Sequence, residues 1–79
     1  MIMPVKVDID KLSQSVLEAR QRLEESLVFV EDLMRISKYS GSMKTYNHFK
    51  NTKNNILLSI KIMEDAMKTA EEHNVNQKY

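Results

Sequence analysis

The chain has 79 residues, with one glycine, one proline, no cysteine and no tryptophan, and 12 Lys/Arg against 11 Asp/Glu give a formal net charge of +1. This length allows one domain and no separate catalytic and binding lobes. Without cysteine there is neither a disulfide framework nor a thiolate metal site. A core in so small a chain supplies only roughly 3–5 kcal/mol, so support from a partner chain is expected, and the composition favours an all-α interaction module over an enzyme.

The N-terminus, Met1-Ile2-Met3-Pro4-Val5-Lys6, has no positive region followed by an apolar stretch, so no cleaved secretory signal is expected. Pro4 belongs to an extended lead-in. Asp8 is the natural N-cap of a first helix, because its carboxylate can accept from an unpaired amide of the first turn. Asp10 then places negative charge at the positive end of the helix dipole. Val7 and Leu12 have the spacing of a hydrophobic staple. Ile9, Leu12, Val16, Ala19, Leu23, Val30 and Leu33 repeat in steps of three and four, with Ser26 at one inner position and Leu27 beside it. That period belongs to a helix. Leu17, Val28, Phe29, Met34 and Ile36 fall off this seam, so a second face is apolar.

The pattern pauses over Ser37-Lys38-Tyr39-Ser40-Gly41-Ser42. Gly41 is the single glycine and sits where a helix should end, since a left-handed residue after a helix is nearly free for glycine. Ser40 or Ser42 can cap the next helix, and so short a connection makes the two helices antiparallel. Tyr46, Phe49, Ile56, Ile60, Met63, Met67 and Ala70 continue the helical period, with Lys53 filling one inner position. Asn74 to Tyr79 reads as a frayed tail. The expected boundaries are helix 1 at about 8–37, a turn at about 38–42 and helix 2 at about 43–73, forming a rod about 42–48 Å long at 1.5 Å per residue.

Two helices bury one seam each, and this chain carries more apolar surface than one seam holds. From Ile56 to Met63, six of eight residues are apolar. Leu57, Leu58 and Ile62 are the expected outward-facing contacts. Ile60 and Met63, with Leu23, Val30 and Ile56, are expected in hairpin packing or association. A second hairpin would cover the surplus as a four-helix bundle. Charge is segregated as well. Arg35, Lys38, Lys44, Lys50, Lys53 and Lys61 lie in a stretch without acids between Asp32 and Glu64. The turn end is therefore basic and the open end acidic, and two hairpins laid antiparallel would match opposite charges.

No catalytic or cofactor constellation emerges. His48 and His73 are too far apart for the i, i+4 spacing of paired metal ligands and read as surface residues. The carboxylate neighbours Glu24/Glu25, Glu31/Asp32 and Glu71/Glu72 do not face each other on a helix. Nothing sets a base against an activated serine, and no Gly-rich loop follows a strand. The methionines read as gap fillers. Lys44, Lys50 and Lys53, interleaved with Tyr46, His48 and asparagines, are the one basic patch that could touch nucleic acid, against which the near-neutral net charge argues. No apolar run approaches the length that spans a bilayer.

The turn residues, Tyr39-Ser40-Gly41-Ser42 followed by Tyr46 and Phe49, resemble the turn of the WXG family, the small ESAT-like helical hairpins of bacterial type VII secretion. That family places an aromatic, usually Trp, two residues before a glycine between two long helices. Tyr39 and Gly41 stand at the matching positions. The opening from Val5 to Leu12 is similar to the family's entry into its first helix, and the likeness extends to about Ala70. It implies a non-enzymatic, cofactor-free dimeric four-helix bundle, made in the cytoplasm and exported without a cleaved signal. Such a protein serves as a secreted substrate or as a targeting partner of a larger toxin with a related helical N-terminal domain. The departures are Tyr for Trp, a short chain, and no aromatic followed four residues later by an acid at the C-terminus, where Tyr79 is last. The expectation therefore leans to an accessory partner of a larger helical effector, whose own chain supplies the export signal, with self-dimerisation as the fallback.

Overall fold

A computed structural model describes residues 5–76. It is an antiparallel hairpin of two long helices, α1 (Ile9–Tyr39) and α2 (Met43–Asn76), joined by the three residues 40–42. The molecule measures 62 × 19 × 19 Å. It is longer than the expected rod because both helices run past their predicted C-terminal ends and the lead-in adds to the length. Pro4 and the terminal residues 77–79 lie outside the described residues.

Each end of α1 is closed as its local chemistry dictates. The Asp8 carboxylate accepts from the Lys11 N–H at 3.1 Å, and the Leu12 N–H donates to the Asp8 carbonyl at 3.0 Å. At the other end Gly41 adopts φ +75°, the left-handed region that glycine enters without strain. The Ser42 N–H then reaches back to the Ser37 carbonyl and the Gly41 N–H to the Lys38 carbonyl, both at 3.1 Å. These two bonds form a Schellman motif, which satisfies carbonyls that the helix end leaves unpaired. Lys38 and Tyr39 are consequently helical and not part of the turn. Ser42 starts α2: its carbonyl accepts from the Tyr46 N–H at 3.0 Å and its hydroxyl donates to Thr45 Oγ1 at 2.7 Å.

Shielded side chains trace the contact between the helices. In α2 they are Tyr46, Phe49, Lys53, Ile56, Ile60, Met63, Met67 and Ala70, an unbroken heptad as expected. In α1 they are Ile9, Leu12, Val16, Ala19, Leu23, Leu27, Val30, Met34 and Ser37. The expected inner positions Ser26 and Leu33 are thus replaced by Leu27 and Met34. Two consecutive steps of four, from Ala19 to Leu23 and from Leu23 to Leu27, insert a stutter that shifts the register and locally unwinds the supercoil. The shift brings Leu27 inward in place of a serine. It also takes Ser37 inward, where the buried hydroxyl donates to the Leu33 carbonyl at 2.8 Å and is satisfied.

As far as Asn76, the last described residue, the open end is helical and not frayed. Asn74 grips the lead-in: the Val7 N–H donates to Asn74 Oδ1 and Asn74 Nδ2 donates to the Val7 carbonyl, each at 2.8 Å. His73 Nε2 donates to the Val5 carbonyl at 3.1 Å. One asparagine side chain thus pairs both backbone groups of one residue, much as a neighbouring strand would. These bonds give the last turns of α2 something to hold, and the helix continues through Asn74 to Asn76.

Candidate association site

Two helices alone cannot enclose a core. Among the described residues only Val30 and Ser37 are buried, and every other seam side chain is partly exposed. The chain exposes 6628 Å². A compact globular chain of 9.3 kDa exposes about 5,000 Å², so the excess is roughly 1,600 Å².

The two flanks of the seam differ in chemistry. With Tyr46, Lys53, Ile60 and Met67 as heptad position a, Glu64 falls at e. On α1, Arg20 follows Val16 and Glu31 follows Leu27 by the same step. Arg20 Nη1 meets Glu64 Oε1 at 3.0 Å and Lys53 Nζ meets Glu31 Oε1 at 3.6 Å, and these two cross-helix ion pairs lie on this e flank. Arg20 also holds Glu24 at 2.9 Å, and Arg35 pairs with Asp32. Lys53 keeps its stem against the seam while its ammonium reaches outward.

The opposite, g flank carries no charge between Ser26 and the turn, although toward the open end it carries Glu18, Arg22 and Glu25. On α1 it presents Phe29, Leu33 and Ile36, spaced i, i+4, i+7 and therefore one continuous stripe. They are 69%, 40% and 61% exposed. On α2 the same flank presents Thr45, His48, Thr52, Asn55, Ser59 and Ile62. An exposed apolar stripe in an uncharged setting is the usual mark of an association surface.

The expected contact residues distribute differently. Ile60 and Met63 belong to the seam. Leu57, Leu58 and Ile62 are all exposed: Leu58 and Ile62, at i and i+4, are neighbours on the outer side of α2 next to the uncharged flank, whereas Leu57 lies on the ionic flank. The sequence pattern hides the stripe because it assigns Leu33 to the seam, although the spacing of Phe29, Leu33 and Ile36 is there to be read. Tyr39, the aromatic of the turn motif, is 86% exposed and adds little packing to the hairpin, whereas Gly41 performs the reversal.

Lys44, Lys50 and Lys53 do not form a row. Lys53 is a seam residue tied to Glu31, and Lys44 and Lys50 lie on different sides of α2. Among the described residues no three of His, Asp and Glu come together as metal ligands, and no helix is long and apolar enough to cross a membrane. Comparison with known families, curated proteins and solved structures returns no match.

Proposed function

We propose that this chain is a helical-hairpin binding protein of the type VII secretion kind, acting as the targeting or chaperone partner of a larger helical effector. Its mechanism is completion of a four-helix bundle: a helical pair from the partner seats on the exposed apolar surface, and the joint assembly carries the export surface. The observation that carries this reading is the missing interior. A hairpin with two buried residues among those described leaves an excess of about 1,600 Å² on one chain, about twice the roughly 800 Å² that each partner contributes to a standard specific interface. The aromatic-x-glycine turn at Tyr39 and Gly41 supports the secretion context by resemblance. The role is one of binding, with no chemistry asked of any side chain.

The test is purification of the tagged chain from its native host beside a Phe29→Glu/Ile36→Glu variant. The reading expects a larger protein with a helical N-terminal domain at one-to-one stoichiometry with the unaltered chain, lost with the variant. It further expects that deleting this chain stops export of that protein. A monomer without a stoichiometric companion, or export that is indifferent to the deletion, counts against it.

A further inference from the structure

Tyr39 of the turn motif is used neither by the hairpin nor by the association flank. It is 86% exposed on the last turn of α1, and Met43 on the first turn of α2 is 58% exposed. Only residues 40–42 separate them, so both sit at the very end of the rod. Cations lie close by. Residues 33–51 hold Arg35, Lys38, Lys44 and Lys50, all exposed, and no acid. Arg35 pairs with Asp32, whereas among the described residues no acid meets Lys38, Lys44 or Lys50. At 1.5 Å per residue all four lie within about 12 Å of the turn along the axis. The open end, residues 5–18 and 64–76, instead holds seven acids against three bases.

We infer that the turn end is a docking tip for an anionic membrane surface, on which the hairpin stands upright. Tyr39 and Met43 enter the headgroup region, where an amphipathic aromatic ring is well placed, and the cations meet the charge of anionic lipid. The charge layout sets the posture. The screening length in physiological salt is about 8 Å, so a surface feels the two ends of a 62 Å rod separately. Lying flat presses the acidic open end onto anionic lipid, and standing on the turn lifts it clear. A protein partner fits so small a tip poorly. A section of 19 × 19 Å offers about 360 Å², under half of the roughly 800 Å² that a standard interface takes from each partner. A nucleic-acid backbone asks for cations along one face, and these lie on different sides of the two helices. The upright posture leaves Phe29, Leu33 and Ile36 open along the side of the rod, so surface and effector binding are compatible.

The test is co-sedimentation of the purified chain with vesicles of phosphatidylcholine and phosphatidylglycerol in equal parts, beside vesicles of phosphatidylcholine alone. The mixed vesicles should bind at least tenfold more tightly, with the difference shrinking at high salt. A lysine held at an anionic leaflet raises affinity about fivefold. Lys38→Glu/Lys44→Glu/Lys50→Glu should therefore bind at least about 100-fold more weakly, with unchanged helical content. The chain has no tryptophan, so a single introduced one is a clean fluorescent probe. On mixed vesicles the emission of Tyr39→Trp should shift to the blue, and that of Val75→Trp, at the open end and 78% exposed, should not. Equal binding to both vesicles, binding to neither, or an unaffected lysine variant overturns the docking tip. A blue shift at both ends overturns the upright posture. Tighter binding to a single-stranded oligonucleotide than to the mixed vesicles gives the tip to nucleic acid and overturns the inference. Vesicle binding needs no effector, so its failure leaves the effector reading to its own co-purification test.

Discussion

The ionic and uncharged flanks of this rod differ in whether they are finished. On the ionic flank Arg20, Glu64, Glu31 and Lys53 pair with one another, and their charged groups keep access to water. On the uncharged flank Phe29, Leu33 and Ile36 meet neither charge nor cover. The lesson is that ion pairs hold the two helices of this hairpin in register; uncovered apolar side chains remain on both sides, but on the ionic flank Leu17, Val28 and Leu57 stand among charges, whereas Phe29, Leu33 and Ile36 form one stripe. Surface ion pairs contribute roughly 0–1 kcal/mol each, whereas fully covering a Phe, Leu or Ile side chain contributes about 1.5–3 kcal/mol.

The largest effect is expected where both flanks depend on the seam between them. Ile60→Asp places a charge among apolar neighbours and should cost about 3 kcal/mol or more. In so small a chain that removes the cooperative melt by circular dichroism, together with any association. Normal melting and elution of this variant would contradict the seam assignment.

Phe29→Glu/Ile36→Glu separates the flanks. Association should weaken by roughly 100-fold, as for loss of central interface residues, while the isolated hairpin melts as before. Leu57→Glu, on the ionic flank, should leave association within about threefold, read by sedimentation at matched concentration.

Both flanks are kept in alignment by the ends of the rod. Asn74→Ala removes two hydrogen bonds to Val7 and should cost about 1–2 kcal/mol. Faster amide exchange at Val7 would locate the loss. Gly41→Ala meets no atom within 4 Å, so its cost is conformational only, about 1–2 kcal/mol for a left-handed alanine, read as a lower melting temperature. The smallest effect belongs to the ionic flank: Arg20→Ala should change stability by about 0.5 kcal/mol or less, vanishing at high salt.

Much of the hairpin was legible because the cues were local. Asp8 caps within three residues, Gly41 is the single residue suited to the reversal, and α2 keeps its heptad from Tyr46 to Ala70. The register of α1 was not. Around Leu23, steps of three to Ser26 and of four to Leu27 both satisfy a helical period, and only the opposing helix selects one. That choice moved Leu33 out of the seam and created the stripe with Phe29 and Ile36. The Asn74 grip on Val7 spans 67 residues of sequence and joins a polar tail to a lead-in, so no local pattern announces it. Ser37 reads as a turn residue because its burial depends on a bond to the Leu33 carbonyl.

The most direct test of the central claim, that this hairpin is incomplete until a second helical pair covers its uncharged flank, is molar mass in solution. Light scattering on the chain purified from its native host, beside Phe29→Glu/Ile36→Glu, reads it in one experiment. The account predicts an assembly well above the 9.3 kDa of one chain, and a variant of single-chain mass with the same helical content. An unaltered chain that runs as a well-folded monomer, or a variant that assembles equally well, would contradict it.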